Sequence, residues 1–105
     1  MKSVYVSNEN EKLLREVAGF DELVWPTLQE AMDFLLDEYN LHLQPEPYFC
    51  EDGLVWLCKI IRIEEQNTNL IKTITGCDSK ESAVDNAIDY IINNDRERFK
   101  GWRSS

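Results

Sequence analysis

Residues 75–94, TGCDSKESAVDNAIDYIINN, join the last predicted strand to a long amphipathic helix. The strand ends at Gly76, and the helix that follows can be capped by Asp78, with Glu81 three residues later, or by Ser79. The apolar residues that recur at helical spacing are Val84, Ala87, Ile88 and Ile91. Their common stripe predicts a helix that packs on a sheet and closes the fold.

The residues before this join contain three strand-like segments. Residues 48–50, 54–63 and 70–76 are rich in β-branched and aromatic side chains, and turn-forming residues separate them. Such short turns favour an antiparallel sheet. Within the second segment, Lys59 and Arg62 lie three residues apart and therefore point to opposite faces. This break in alternation predicts a bulge or a twisted central strand.

A second long helix is predicted to begin after Thr27, because Thr27 and Glu30 have the spacing of a capping box. Its apolar stripe consists of Leu28, Ala31, Met32, Leu35, Leu36 and Tyr39. Beyond the helix, Pro45 and Pro47 predict an extended linker that leads into the first strand.

The N-terminal region predicts a short extension to this fold. Residues 4–6 can form an edge strand, and a short helix can follow, capped by Asn8 with Glu11 three residues later. The predicted class is α+β: a two-layer sandwich in which two helices cover one face of a three-stranded antiparallel sheet, in the order αβββα. A chain of 105 residues is one domain. We expect its core at about 27–94 and a frayed basic tail at 95–105.

The charge of the chain is unevenly distributed. The net charge is −9, yet residues 16–58 contain ten acidic residues and no lysine or arginine. The remainder has ten acids and eleven bases, and is therefore close to neutral. An anionic body of this kind repels nucleic acid and anionic lipid and attracts cationic partners. The alternative is that the surplus acid only keeps the protein soluble.

The acidic residues of the second helix include a candidate partner site. Glu30, Asp33 and Asp37 lie opposite the apolar stripe, and Phe34 lies outside that stripe toward the acidic side. An aromatic residue there is either the edge of a wide core face or an exposed anchor for a partner. Carboxylates at this spacing are either a solvated face or a surface that binds cations. We predict that these four residues bind a protein partner.

The sequence predicts no catalytic or metal site. His42 is the single histidine, which leaves little material for a general base. Cys50, Cys58 and Cys77 are an odd number without close pairing, and their spacing from each other and from His42 matches no zinc knuckle. The four glycines are isolated, so no phosphate-binding loop is predicted. We therefore expect no enzymatic activity and no cofactor.

Basic residues near the C-terminus suggest an alternative function. Arg96, Arg98, Lys100 and Arg103 alternate with Phe99 and Trp102. Cations beside aromatics are typical of single-stranded nucleic-acid contacts, and also of a tail that folds back on an acidic body. The alternative prediction is a nucleic-acid site formed by Lys80, Arg96, Arg98, Lys100, Trp102 and Arg103.

Residues 27–94 resemble the double-stranded-RNA-binding domain in element order and in the start of the last helix. Members of that family run from a glycine into a Ser-Lys-Lys start with a third lysine shortly after. The residues of this chain that fit are Ser79, Lys80, Ala83 and Ala87. Glu81 stands where the second lysine would be and Val84 where the third would be. The resemblance therefore implies a shared topology without the RNA-binding lysines.

The same order is similar to small phage and prophage proteins described as alpha-beta-alpha sandwich domains. Residues 54–60, LVWLCKI, and residues 77–91, CDSKESAVDNAIDYI, carry this likeness. It implies an accessory protein of a mobile element, with no known activity.

The leading prediction is a small acidic interaction or accessory module without catalytic activity. Its partner is expected to be a basic protein, and one form of the prediction is a regulator whose carboxylates imitate nucleic-acid phosphates. The longest apolar runs fall far short of the roughly 20 residues of a membrane span, and residues 1–12 lack the apolar region of a signal peptide. We expect a cytoplasmic protein without membrane contact, and the sequence leaves its oligomeric state open.

Overall fold

The computed structural model describes residues 4–103 and has an α+β fold. An antiparallel sheet with strand order β1-β2-β3 is combined with four α-helices and one π-helical turn. The elements are, in chain order, α1 (Asn8–Glu16), α2 (Leu28–Tyr39), β1 (Leu41–Cys50), β2 (Gly53–Ile63), β3 (Thr68–Cys77), α3 (Lys80–Asp89), the π-helical turn (Tyr90–Asn94) and α4 (Arg96–Gly101).

Helix α2 begins as its sequence predicts. The Thr27 hydroxyl accepts a hydrogen bond from the Glu30 amide at 3.1 Å, and the Glu30 carboxylate accepts one from the Thr27 amide at 3.2 Å. These two bonds form the predicted capping box. The helix ends at Asn40, whose φ of 55° reverses the chain directly into β1.

Strand β1 is longer than predicted, because it begins at Leu41 and includes both Pro45 and Pro47. The Asn40 carbonyl accepts a bond from the Ile63 amide of β2, so residues 42, 44, 46 and 48 direct their backbone groups to β2. Pro45 and Pro47 are odd-numbered residues of this alternation, so their backbone groups face the free edge of the sheet. Proline has no N–H group, but at the free edge this removes no hydrogen bond between strands. An edge strand can therefore accommodate proline.

Strand β2 has the irregularity that Lys59 and Arg62 predict. Its pairing with β1 is regular from Leu41 opposite Arg62 to Cys50 opposite Gly53. Its pairing with β3 shifts register twice, between Trp56 and Cys58 and between Ile60 and Ile61. The bulges therefore lie on the β3 side of the central strand.

One hydrophobic core joins the helices to the sheet. From β1 and β2 it contains Leu41, Leu43, Cys58 and Ile60, which are essentially inaccessible to solvent. Helix α3 contacts all three strands, and α2 contacts β1. The buried apolar residues of the helices are Leu14, Leu28, Ala31, Leu35, Tyr39, Ala83, Val84, Ala87, Ile88, Ile91, Ile92 and Phe99. The stripes predicted for α2 and α3 supply most of this set.

The N-terminal region docks on the body by polar contacts as well as by the buried side chains of Val6 and Leu14. Tyr5 forms an isolated bridge with Thr27 in place of the predicted edge strand. Ser7, and not Asn8, caps α1, since its hydroxyl accepts a bond from the Asn10 amide. Asn10 is buried and its Nδ2 donates to the Asp85 carbonyl at 2.7 Å and to the Asp85 carboxylate at 2.9 Å. These bonds tie α1 to α3.

Residues 95–103 are folded, where the sequence analysis expects a frayed tail. Helix α4 buries Phe99 completely, and the Phe99 ring stacks on Tyr39 with centroids 4.0 Å apart and planes at 17°. Trp102 packs against the same core. Tertiary contacts of two aromatic side chains therefore stabilise a segment that is too short to form a helix on its own. The last two residues of the expected tail lie outside the described residues.

Candidate functional site

The residues predicted to bind a partner line one groove. Glu30, Asp33, Phe34 and Asp37 of α2 form one wall with Glu38, and the loop residues Phe20, Asp21 and Glu22 form the other. The cavity has a volume of about 350 Å³. Six carboxylates thus surround two phenylalanine rings, and we call this site the acidic groove.

Helix α2 positions the carboxylates by its periodicity. Asp33 and Asp37 are one turn apart and exposed, and Glu30 lies one turn earlier. The Gln29 side chain donates to the Asp33 carboxylate at 3.0 Å and holds it in place. Glu30 is partly committed to its capping bond at Thr27, so Asp33 and Asp37 are the freer charges of this wall.

Phe34 forms part of the groove lining and does not project as an isolated anchor. It is half-buried and packs against the core. Its ring meets Phe20 edge-to-face, with centroids 5.3 Å apart and planes at 87°. It also contacts Tyr39 at a centroid distance of 6.2 Å. The two readings that the sequence leaves open therefore combine, since Phe34 is the edge of the core and also lines the predicted site.

Arg15 holds the loop that supplies the second wall. Its guanidinium donates to the Val24 carbonyl at 3.0 Å and to the Glu22 carbonyl, and its Nε forms an ion pair with Glu11 one turn earlier in α1. The guanidinium also lies over the Phe20 ring, 5.4 Å from its centroid. These contacts place Phe20 and Glu22 at the groove, although they are distant from α2 in sequence.

The far end of the groove is reached by Arg103. Its Nε lies 3.9 Å from a Glu38 carboxylate oxygen, and its guanidinium is 6.0 Å from the centroid of Tyr39. A side chain at Gly19, whose φ is +84°, would enter the space that this guanidinium occupies. The protein thus seats one of its own cations between a carboxylate and an aromatic ring at the rim of the acidic groove.

An exposed apolar surface adjoins the loop wall. It is formed by Tyr5, Leu23, Val24 and Trp25, with Leu23 fully exposed and the other three between 41% and 59% exposed. Trp25 is fixed by a hydrogen bond from its indole N–H to the Val6 carbonyl at 3.0 Å. We call these four residues the apolar shelf. Three consecutive apolar residues outside any periodic pattern were the sequence signal for it.

The residues of the alternative nucleic-acid site come from two parts of the chain. Lys80 begins α3, and the other five lie in α4 or directly after it. Trp102 has Arg62 and Arg98 against its ring, at 4.9 Å and 5.0 Å from the centroid. Arg98 is also paired with Asp95. This alternative stays a prediction.

Two of the three cysteines are neighbours in the core, and the third is at the surface. Cys58 and Cys77 are buried in the core, and Cys50 is exposed at the end of β1. Burial, and to a smaller extent the neighbouring Cys77, raises the pKa of the Cys58 thiol to about 12. In the part of the chain that the structure describes, no cluster of three histidine, cysteine or acidic side chains has a geometry that could hold a metal ion.

None of the helices within residues 4–103 combines the length and the apolar character that a transmembrane span requires. Comparison of the chain with protein-family models, with curated proteins and with solved structures gave no match. Both family resemblances therefore stay predictions.

Proposed function

We propose that the protein is a non-catalytic interaction module whose acidic groove binds a cationic segment of a protein partner. The observation that carries the proposal is the convergence of six carboxylates on two phenylalanine rings in one groove. The proposal takes the fold as a two-layer αβββα sandwich, with the groove on the side of α2 that faces away from the sheet. Such a module acts by occupying its partner and needs no reactive group.

The groove has the chemistry to hold lysine or arginine side chains. Carboxylates supply charge-assisted hydrogen bonds, and a guanidinium can add a bidentate geometry. The half-buried Phe34 ring supplies cation–π attraction, worth about 0.5–1 kcal/mol at exposed sites. Phe20 is buried and already has the Arg15 guanidinium over its ring, so it supports Phe34 from below. Arg103, beside Glu38 and Tyr39, is an intramolecular example of the same combination.

The apolar shelf narrows the class of partner. It lies next to Asp21 and Glu22, which line the groove. A segment with only basic residues would leave the shelf in water, whereas an amphipathic segment would bury its apolar side chains there. We infer that the partner presents an amphipathic helical segment, with basic side chains on one face and apolar side chains on the other. If the partner normally handles DNA or RNA, the carboxylates act as phosphate mimics in its basic groove.

A direct test uses a labelled peptide with arginine and leucine at helical spacing, titrated with the full chain. Changing Asp33 and Asp37 together to lysine should weaken binding at least tenfold, because these two charges are free to pair. The matched control changes Glu51 and Asp52 to lysine. Both are exposed in the β1–β2 turn, and this variant has the same net charge.

Circular dichroism checks that both variants fold. The proposal predicts that the control keeps the affinity of the parent chain within about twofold, allowing for long-range attraction. Equal weakening by both variants would show that the peptide senses only net charge, and the groove would lose its assigned role. A Leu23→Asp variant should bind the amphipathic peptide more weakly. Its affinity for an all-arginine peptide should change only by the effect of the added negative charge.

A further inference from the structure

The second face of the sheet, away from the core, carries an unusual number of apolar side chains. Its apolar members are Tyr48, Val55, Leu57, Ile61, Ile63 and Leu70, and we call this surface the open face. Tyr48 and Leu70 are 55% and 59% exposed, and Ile63 is 40% exposed. A cavity of about 300 Å³ lies between Tyr48, Leu57 and Gly76.

The sequence of β2 also indicates that this face is covered in the working protein. A strand with one solvated face alternates apolar and polar residues, and a strand covered on both faces is apolar throughout. In β2, Cys58 and Ile60 point to the core, and Val55, Leu57 and Ile61 point to the open face. Lys59 is the polar exception among the β2 residues that point to the open face. The strand thus has the pattern of one that is buried on both sides.

We propose that the open face is the interface of a symmetric homodimer. A twofold interface places the same patch on both copies, so a patch with net charge repels itself. The protein has a net charge of −9, which residues 16–58 supply. On the open face the charged residues are Glu46 and Lys59, whose Oε2 and Nζ lie 3.4 Å apart. Uncharged polar residues on the same face include Gln44 and Thr73. Because its two opposite charges cancel, the open face can meet a second copy of itself without the repulsion that two acidic grooves would have.

The Glu46–Lys59 pair is self-complementary across a twofold axis. When two copies meet, Glu46 of each can face Lys59 of the other, which exchanges two internal ion pairs for two between copies. The Lys59 and Glu46 side chains are 39% and 33% exposed, so the exchange takes place at a partly solvated site and chiefly fixes the register of the two copies.

The size of the face fits a weak, reversible dimer. With strands about 4.8 Å apart and a rise of about 3.3 Å per residue, three ten-residue strands span roughly 14 Å by 33 Å, or roughly 460 Å² in projection. Two copies together would bury roughly 920 Å² of projected area, which is in the range of weak or transient interfaces.

Sedimentation equilibrium of the full chain, from micromolar to submillimolar concentration, tests the proposal. The parent chain should show the mass of two copies, and Leu70→Asp should weaken dimerisation at least tenfold. Because Leu70 is exposed, this change leaves the core intact. Leu23→Asp on the apolar shelf is the matched control and should not alter the mass.

A charge exchange gives the sharper test. Lys59→Glu and Glu46→Lys should each dimerise at least tenfold more weakly, since like charges then meet twice in the interface. An equimolar mixture of the two variants should form the heterodimer, because every lysine then faces a glutamate. A parent chain that stays monomeric over the whole range overturns the proposal, and so does a mixture that associates no better than its components.

Discussion

Replacing Phe99 by alanine is expected to destabilise the protein by about 3–5 kcal/mol, the range observed for large-to-small changes of buried aromatic residues. Phe99 has no exposed surface, and its ring stacks on Tyr39 at 4.0 Å. Burial of an aromatic side chain contributes about 1.5–3 kcal/mol, and an aromatic pair adds about 0.5–1.5 kcal/mol. The remainder comes from the cavity that the missing ring would leave beneath α4.

Urea unfolding followed by circular dichroism at 222 nm measures this change. A domain of this size has a total stability of about 5–15 kcal/mol, so Phe99→Ala takes a large share of it. Phe99→Leu keeps most of the volume but loses the stacking, and should cost about 1–2 kcal/mol. Lys100 is the exposed neighbour of Phe99, and Lys100→Ala should change the free energy of unfolding by no more than about 0.5 kcal/mol. A loss below about 1 kcal/mol for Phe99→Ala would show that α4 does not pack on Tyr39.

Three further predictions concern groups elsewhere in the fold. Asn10→Ala removes two hydrogen bonds to Asp85, one of them charge-assisted, and should lower the free energy of unfolding in urea by about 1.5–3 kcal/mol. Asn10→Asp should lower it further, because this change brings two carboxylates together. An Asn10→Asp variant as stable as the parent chain would contradict this prediction. Burial raises the pKa of Cys58 to about 12 and also raises that of Tyr39, so both groups stay protonated in the folded state when they would ionise in the unfolded chain. Stability should therefore fall as the pH rises from about 9 toward 12, and iodoacetamide at pH 8 should label the exposed Cys50 of the native protein and not Cys58.

The long helices could be predicted from the sequence because their signals are local. The capping box at Thr27 and Glu30 lies within four residues, and the α3 stripe repeats over three turns. The three carboxylates of α2 share a face for the same reason, since helical geometry alone brings them together. This part of the acidic groove was accessible without tertiary information.

The parts that could not be predicted depend on the position of a segment in the fold. Pro45 breaks a central strand but fits an edge, and nothing near Pro45 shows that β1 is at the edge. Helix α4 is one and a half turns long, and its stability comes from Tyr39, which is sixty residues away in sequence. Phe20 and Glu22 join the groove through contacts of Arg15, which leave no periodic trace in the sequence.

The two prolines of β1 also limit how this protein can aggregate. A fibre that grows by strand addition needs two free edges on every molecule, one to receive the next copy and one to be received. On the free edge of β1, Pro45 and Pro47 present no N–H groups over the middle of the strand. On the other side of the sheet, β3 is bulged against β2 and twists away from a straight template. Even at concentrations where copies associate through their faces, we therefore expect assembly to stop at a finite particle and not continue into a cross-β filament.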